Sequence, residues 1–202
     1  LPYLFNLIEA FNIPLLRMPG WEADDVIGTL AKQADEAGIR TYMVTPDKDY
    51  GQLVSEHVFM CKPGNTGDNL ETLGVPEICE KWGISRVDQV IDLLGLMGDA
   101  SDNIPGVPGI GEKTAQKLIS QFDTIENLLA HTDQLKGKQK QNIEENRELA
   151  LLSKELVTIE RNVRLEVTLD DLVVKDRNDE ALKDIFIEME FLVRQTQCIQ
   201  YN

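Results

Sequence analysis

An α/β region followed by a mostly helical region is the fold class this sequence predicts. Three observations carry it. Short apolar, β-branched runs alternate with a helical pattern between Ile13 and Cys61. Strand-like runs then become scarce near Gly83, and helix-period patterns dominate the rest of the chain. Within the helical region lies Gly98–Leu118, GDASDNIPGVPGIGEKTAQKL, where two carboxylates lead into a glycine-punctuated turn and then a helix.

The opening LPYLFNLIEAFNIP has a helical pattern, no Met, no charged leader and no small-residue cleavage site. It reads as part of a longer protein and not as a signal peptide. Ile13–Arg17 is short, apolar and bounded by Pro19-Gly20, which predicts a buried strand. Glu22–Ala37 carries Val26, Ile27, Leu30, Ala31 and Ala34 at helical spacing, and Gly38 stops it. Ile39–Thr45 is a second expected strand. Strand, helix and strand in succession predict a parallel pair with a right-handed crossover.

A third strand is expected over His57–Cys61 and a turn-rich loop over Lys62–Asn69. Helices are expected at Pro76–Trp82, Val87–Met97, Glu112–Gln121, Ile125–Ala130, Lys138–Lys154 and Asp179–Glu190. Val163–Leu169 alternates like a strand. The change of pattern divides the chain into residues 1–84 and 85–202.

Composition narrows the classes. With 202 residues and 42% hydrophobic content the chain can bury a real core. No apolar run approaches the roughly 18 residues of a membrane span. Cys61, Cys79 and Cys198 are odd in number and far apart, which fits a reducing cytoplasm better than a disulfide framework or a zinc site. His57 and His131 are isolated. A net charge of −15 argues against a general nucleic-acid coat protein, so any contact with an anionic polymer must be local or rely on other parts of a longer protein.

The acids fall in three groups. Glu22, Asp24 and Asp25 open a helix directly after an apolar run. They also suit a plain helix N-terminus, where carboxylates complement the macrodipole. Asp47 and Asp49 follow the second strand. In extended chain, side chains two apart point the same way, and the crevice beyond carboxyl strand ends is the usual ligand site of an α/β sheet. A polar turn capped at Asp49 is the alternative. Asp99 and Asp102 share a face if the local turn is helical. Seven carboxylates in three clusters, two of the clusters expected at one sheet edge, would repel without cations. Hard oxygen ligands suit Mg²⁺ or Mn²⁺, and two such ions about 3.5–4 Å apart would clamp a phosphodiester during in-line displacement.

The turn Gly106-Val-Pro-Gly109-Ile-Gly111 runs into a helix with Lys113, Thr114 and Lys117. Glycines let backbone approach a ligand closely, and a helix N-terminus faces an anion. The spacing is not that of a nucleotide P-loop, and no strand precedes it as a dinucleotide turn requires. A helix–hairpin–helix that grips a nucleic-acid backbone fits, and a ligand-free interhelical connection is the alternative. Lys136, Lys138 and Lys140 could extend a phosphate track or simply face solvent.

The stretches WEADDVIGTLA, TPDKDYGQL and GDASDNIPGVPGIGEKTA closely resemble the 5′-nuclease domain of bacterial DNA polymerase I, in the flap endonuclease family. The tail LVTIERNVRLEVTLDDL…IFIEMEFL is similar to the end of that domain, so the resemblance spans essentially the whole chain. It implies a PIN-like parallel-sheet core, incomplete at its N-terminus, and a helical helix–three-turn–helix (SAM-like) subdomain. Glu22, Asp24, Asp25, Asp47, Asp49, Asp99 and Asp102 would then be metal ligands, and Gly106, Gly109, Gly111, Lys113, Thr114 and Lys117 would grip DNA.

The implied cofactors are Mg²⁺ or Mn²⁺ in a two-metal site, with K⁺ at the glycine turn. The implied substrate is branched or nicked duplex DNA with a 5′ flap, cut during replication and repair, including removal of RNA primers. Polymerase domains in the same parent chain and a bacterial cytoplasmic, nucleoid-associated location are implied by the same resemblance. Family members also carry two aspartates and basic arch helices upstream of the matching segment, so the 202-residue chain is expected to be inactive alone. Competing readings are a non-catalytic helix–hairpin–helix module with its acids as solvated caps, and a stand-alone flap endonuclease paralogue. A phosphoacceptor receiver domain fits poorly: it needs a lysine at a later strand end and has no glycine-turn helix pair.

Overall fold

The computed structural model describes residues 2–64 and 70–189. By their contacts, these group into two compact units, one within Trp21–Val163 and one of the end segments 2–20 with 164–189.

The larger unit is built on helix α2 (Ala23–Glu36) and strands β1 (Thr41–Val44), β2 (Val58–Pro63) and β3 (Leu70–Leu73). The strand order is β1-β2-β3, with β1–β2 parallel and β2–β3 antiparallel. A 3-10 helix, Lys48–Leu53, forms the crossover between β1 and β2. The parallel pair is therefore β1 with β2, not Ile13–Arg17 with β1. Ile13–Arg17 forms no strand: Pro14 lacks an N–H for a ladder, and Ile13 and Leu15 stay exposed. Strand β3 was not foreseen. It pairs with β2 across residues 65–69, which lie outside the described residues together with that part of the expected turn loop.

Helices α3 (Val75–Trp82), α4 (Gln89–Met97), α5 (Glu112–Phe122) and α6 (Ile125–Ala130) lie close to expectation. The single helix expected over Lys138–Lys154 is two, α7 (Gly137–Glu145) and α8 (Arg147–Val157). The break is at Asn146, with φ −119° and ψ 30°, where its side-chain amide donates to the Asn142 carbonyl at 2.8 Å. This side chain competes for the backbone groups that would continue the helix.

One apolar core runs from Met43 and Met60 through Ile78 and Trp82 to Leu93, Leu118, Ile125, Ile143 and Val157. The core thus continues across the change of pattern near Gly83, which is itself exposed. Two polar devices fix its edges. Asp92, buried on α4, accepts from the Ile125 backbone N–H at 2.8 Å and from Lys154 Nζ at 2.7 Å, tying α4 to α6 and α8. Burial pushes the Asp92 carboxyl above its usual range, with the Lys154 and Ile125 hydrogen bonds opposing that rise. The Gln52 side-chain amide donates to the Val157 carbonyl at 2.9 Å and accepts from the Ile159 N–H at 3.0 Å.

The expected strand at Val163–Leu169 is irregular chain, ending in a 3-10 turn at Leu169–Leu172. The Val163 N–H goes to Thr29 Oγ1 at 3.0 Å and not to a strand. In the smaller unit, α1 (Pro2–Ala10) packs on α9 (Asp179–Glu188). Tyr3 donates to Glu188 at 2.9 Å, and Asn178 N–H to the Ala10 carbonyl at 2.7 Å. Glu190, the expected end of α9, lies outside the described residues.

Candidate metal centre and nucleic-acid interface

Asp47 and Asp49 reach their positions through a turn, not an extended chain. Asp47 is the N-cap of the 3-10 helix and accepts from the Asp49 N–H at 3.0 Å. Asp49 then points inward and is 9% exposed, with its Oδ1 buried and without a hydrogen-bond partner. Burial, helped by the negative fields of Asp47, Asp99 and Asp102 and opposed by Lys48, pushes its carboxyl up to about 6.

Asp99 and Asp102 come from the loop after α4. The backbone of Asp99 pairs both ways with Ile104, closing that loop, and Asp99 Oδ1 accepts from the Ser101 N–H at 2.8 Å. One carboxylate oxygen each from Asp49, Asp99 and Asp102 lies within 4.8 Å of the others. A cavity of about 320 Å³ is lined by Asp49 and Asp102 together with Glu22, Asp24, Asp25 and Asp47. Its apolar wall is Ile104 with Leu156, Val157 and Ile159. All seven expected acids therefore converge, Asp99 through its cluster with Asp49 and Asp102.

They do not converge as equals. Asp25 completes a capping box by accepting from the Glu22 N–H at 3.3 Å, and its other oxygen accepts from the Glu160 N–H at 3.0 Å. Its oxygens are engaged with backbone as well as facing the cavity. Asp24 accepts from the Tyr50 hydroxyl at 2.8 Å, and burial with that carboxylate holds the phenol protonated far above its usual range. The chemistry left for a cation is concentrated at Asp49, Asp99 and Asp102: hard oxygens, close together, one of them buried and without a hydrogen bond. That donor set fits a hydrated Mg²⁺ or Mn²⁺.

Two residues here escaped the sequence reading. Lys48 donates to Asp99 Oδ2 and lies 3.5 Å from Asp49 Oδ1. The Lys48 contact draws the Asp99 carboxyl below its usual range. Burial opposes the Lys48 charge, but the two aspartates outweigh it and raise its pKa. Its position between two acids in TPDKDY was the available signal. Tyr50, an aromatic residue directly after the charged Asp47-Lys48-Asp49, left no signal of its contact with Asp24.

The glycine turn is rigid for backbone reasons. Gly98 (φ +71°) and Gly106 (φ +60°) pack against one another so closely that a Cβ on Gly106 would sit 2.4 Å from the Gly98 nitrogen. Gly106 is buried and its N–H goes to Ser153 Oγ at 3.0 Å, so it shapes the turn from within. Pro108, Gly109 and Gly111 are exposed, and Asn142 braces the Pro108 carbonyl at 2.9 Å. Gly109 has φ +79°, while Gly111 is extended, caps α5 and has open space around it. Lys113 and Lys117 stand exposed one turn apart on α5, with Thr114 half-buried between them.

The chain is similar to known proteins in sequence and in fold. Residues 1–83 match the family model described as 5′-3′ exonuclease, N-terminal resolvase-like domain, and residues 85–180 match 5′-3′ exonuclease, C-terminal SAM fold. DNA polymerase I of Bacillus caldotenax is 45% identical over 94% of this chain and 22% of its own length. That of Bacillus subtilis is 40% identical over 95% of this chain and again 22% of the relative. The chain thus spans about a fifth of the relatives it matches. Bacteriophage T5 D15 flap endonuclease, in a pseudo-enzyme–product complex with DNA and metal ions, superposes with a TM-score of 0.66. It is 27% identical, over 92% of this chain and 66% of that one. T5 5′-exonuclease with bound zinc ions gives 0.63 and 25% identity, over 88% and 62%.

Proposed function

The chain belongs to the 5′-3′ exonuclease family, and from that premise we propose that it supplies metal-binding and duplex-gripping parts of a DNA polymerase I-type 5′ nuclease. The substrate proposed is duplex DNA with a 5′ flap or nick, and the proposed setting is the bacterial cytoplasm at the nucleoid. Among the described residues no helix is long and apolar enough to cross a membrane, which agrees with that setting. We take residues 1–84 as the nuclease-core portion and 85–202 as the DNA-binding portion.

Convergence of the acids carries this reading. Helix caps solvated independently have no reason to meet around one cavity, whereas Asp49, Asp99 and Asp102 place oxygens within 4.8 Å of each other from separate segments. Asp49, Asp99 and Asp102 would hold a divalent ion, with Asp47, Glu22, Asp24 and Asp25 on the same cavity wall. A Mg²⁺ or Mn²⁺ ion held by these residues would supply a lower pKa for water and charge to offset a phosphodiester. The buried Asp49 oxygen gains a partner on binding. Tyr50 and the backbone N–H of Glu160 keep Asp24 and Asp25 oriented. The apolar wall of Leu156, Val157 and Ile159 limits water on one side of the cavity.

The grip is separate from the acids. Gly109, Gly111, Lys113 and Lys117 present a turn and two cations to a phosphate backbone, Thr114 adds a hydroxyl, and Gly106 holds the turn's shape. We assign the K⁺ expectation to the carbonyls of this same turn. Two measurements test the reading. Mn²⁺ titrated into the 202-residue chain should bind, and the Asp49→Asn/Asp102→Asn variant should lose that binding; binding insensitive to the double change removes the metal-nuclease reading. Flap-duplex binding should weaken in Lys113→Ala/Lys117→Ala; unchanged affinity removes the grip.

A further inference from the structure

We propose that Lys48 is a built-in counter-cation of the acidic cluster, which a divalent ion must displace in order to bind. The inference rests on the metal-centre reading and goes beyond it by giving a role to a residue that is not itself a ligand.

Lys48 is the first residue of the 3-10 helix and stands between two of the acids in sequence. Its side chain folds back over them instead of extending into solvent, and it is about one-third exposed. Its ammonium donates to Asp99 Oδ2 and stands 3.5 Å from Asp49 Oδ1. Those two carboxylates are nearly buried and belong, with Asp102, to the triad whose oxygens lie within 4.8 Å of one another. A single positive charge therefore lies against two of the three carboxylates of the triad. Asp49 Oδ1 still lacks a hydrogen bond with the ammonium in place, so Lys48 offsets charge without meeting the geometry that oxygen can satisfy. A divalent ion brings twice the charge and a flexible oxygen shell to the same point. Like charges at this separation exclude each other, so the ammonium must swing toward solvent as the ion enters. A long flexible stem with a compact head suits such a move.

Removing this competitor has a signature that loss of a merely structural contact would not give. Lys48→Met keeps the stem and deletes the charge. Mn²⁺ measured calorimetrically should bind on the order of tenfold more tightly to Lys48→Met than to the unaltered chain. The melting temperature of Lys48→Met without metal should fall, and its rise on adding Mn²⁺ should exceed that of the unaltered chain. Lys48→Arg, which keeps the charge, should bind like the unaltered chain and guards against a general folding defect in the first variant. Equal or weaker Mn²⁺ binding by a folded Lys48→Met overturns the counter-cation role and leaves the metal centre standing. Binding by neither protein overturns both.

Discussion

The acidic cavity and the glycine turn are sequence neighbours at residues 99–111, yet they are made in opposite ways. The cavity is a product of distance: residues 22–25, 47–49 and 99–102 meet only because α2, the 3-10 helix and the loop after α4 pack on one core. Its members repel one another, and the protein tolerates them with a lysine and a few backbone donors. The turn is a product of proximity. Gly98 and Gly106 lie eight positions apart, their backbones touch, and nothing about their contact is electrostatically costly. The first region gives up stability for a site, and the second draws stability from its own geometry.

Breaking the turn should have the largest effect. Gly106→Ala places a Cβ 2.4 Å from the Gly98 nitrogen at φ +60°, so backbone must move. A loss of about 3 kcal/mol is expected from overpacking plus left-handed strain, read by urea unfolding. The cavity should respond with the opposite sign. The Asp49 carboxyl is raised to about 6, so its folded form holds the proton more tightly than the unfolded chain does. Its charge therefore destabilises the fold above pH 6, and the penalty fades as pH falls from 6 to about 4. Asp49→Asn should be more stable by on the order of 2 kcal/mol at pH 8 without metal, and no more stable at pH 4. Thermal melts at the two pH values check both halves.

Smaller effects sharpen the contrast within the turn. Lys113→Ala and Lys117→Ala should each weaken duplex binding by about 1 kcal/mol and lower the salt slope by about one. Both lysines are exposed, so melting should hardly change. Gly111→Ala is the smallest expected change. That glycine has extended backbone and open space, unlike Gly106, so stability should stay within about 0.5 kcal/mol.

This division also explains what the sequence made legible. Helical periodicity placed α2, α3, α4, α5 and α6 to within a few residues, because their buried faces answer to local spacing. The carboxylates were legible as three groups, but the strand-end geometry expected to join two of them relied on a strand at Ile13–Arg17 that does not form; packing of α2, the 3-10 helix and the loop after α4 brings them together instead. Strand assignments at Ile13–Arg17 and Val163–Leu169 were not met. An apolar run states a need for burial but not a partner, and Pro14 in one case and the Thr29 hydroxyl in the other settle the backbone differently. β3 was hidden because LETL alternates weakly over a short span. Lys48 was hidden in plain view, since a lysine beside aspartates ordinarily signals nothing beyond solubility.

The Gln52 amide has a consequence for assembly of the cavity. One side chain offers its nitrogen to the Val157 carbonyl and its oxygen to the Ile159 N–H, standing in for the peptide group of a neighbouring strand. Such a surrogate reads parity: a slip of one residue in segment 157–159 would present donor to donor and acceptor to acceptor. The cavity wall is thereby indexed to the 3-10 helix that carries Asp49, so wall and carboxylate are set by the same amide. Gln52→Glu, nearly identical in shape, would erase that index by removing the side chain's donor.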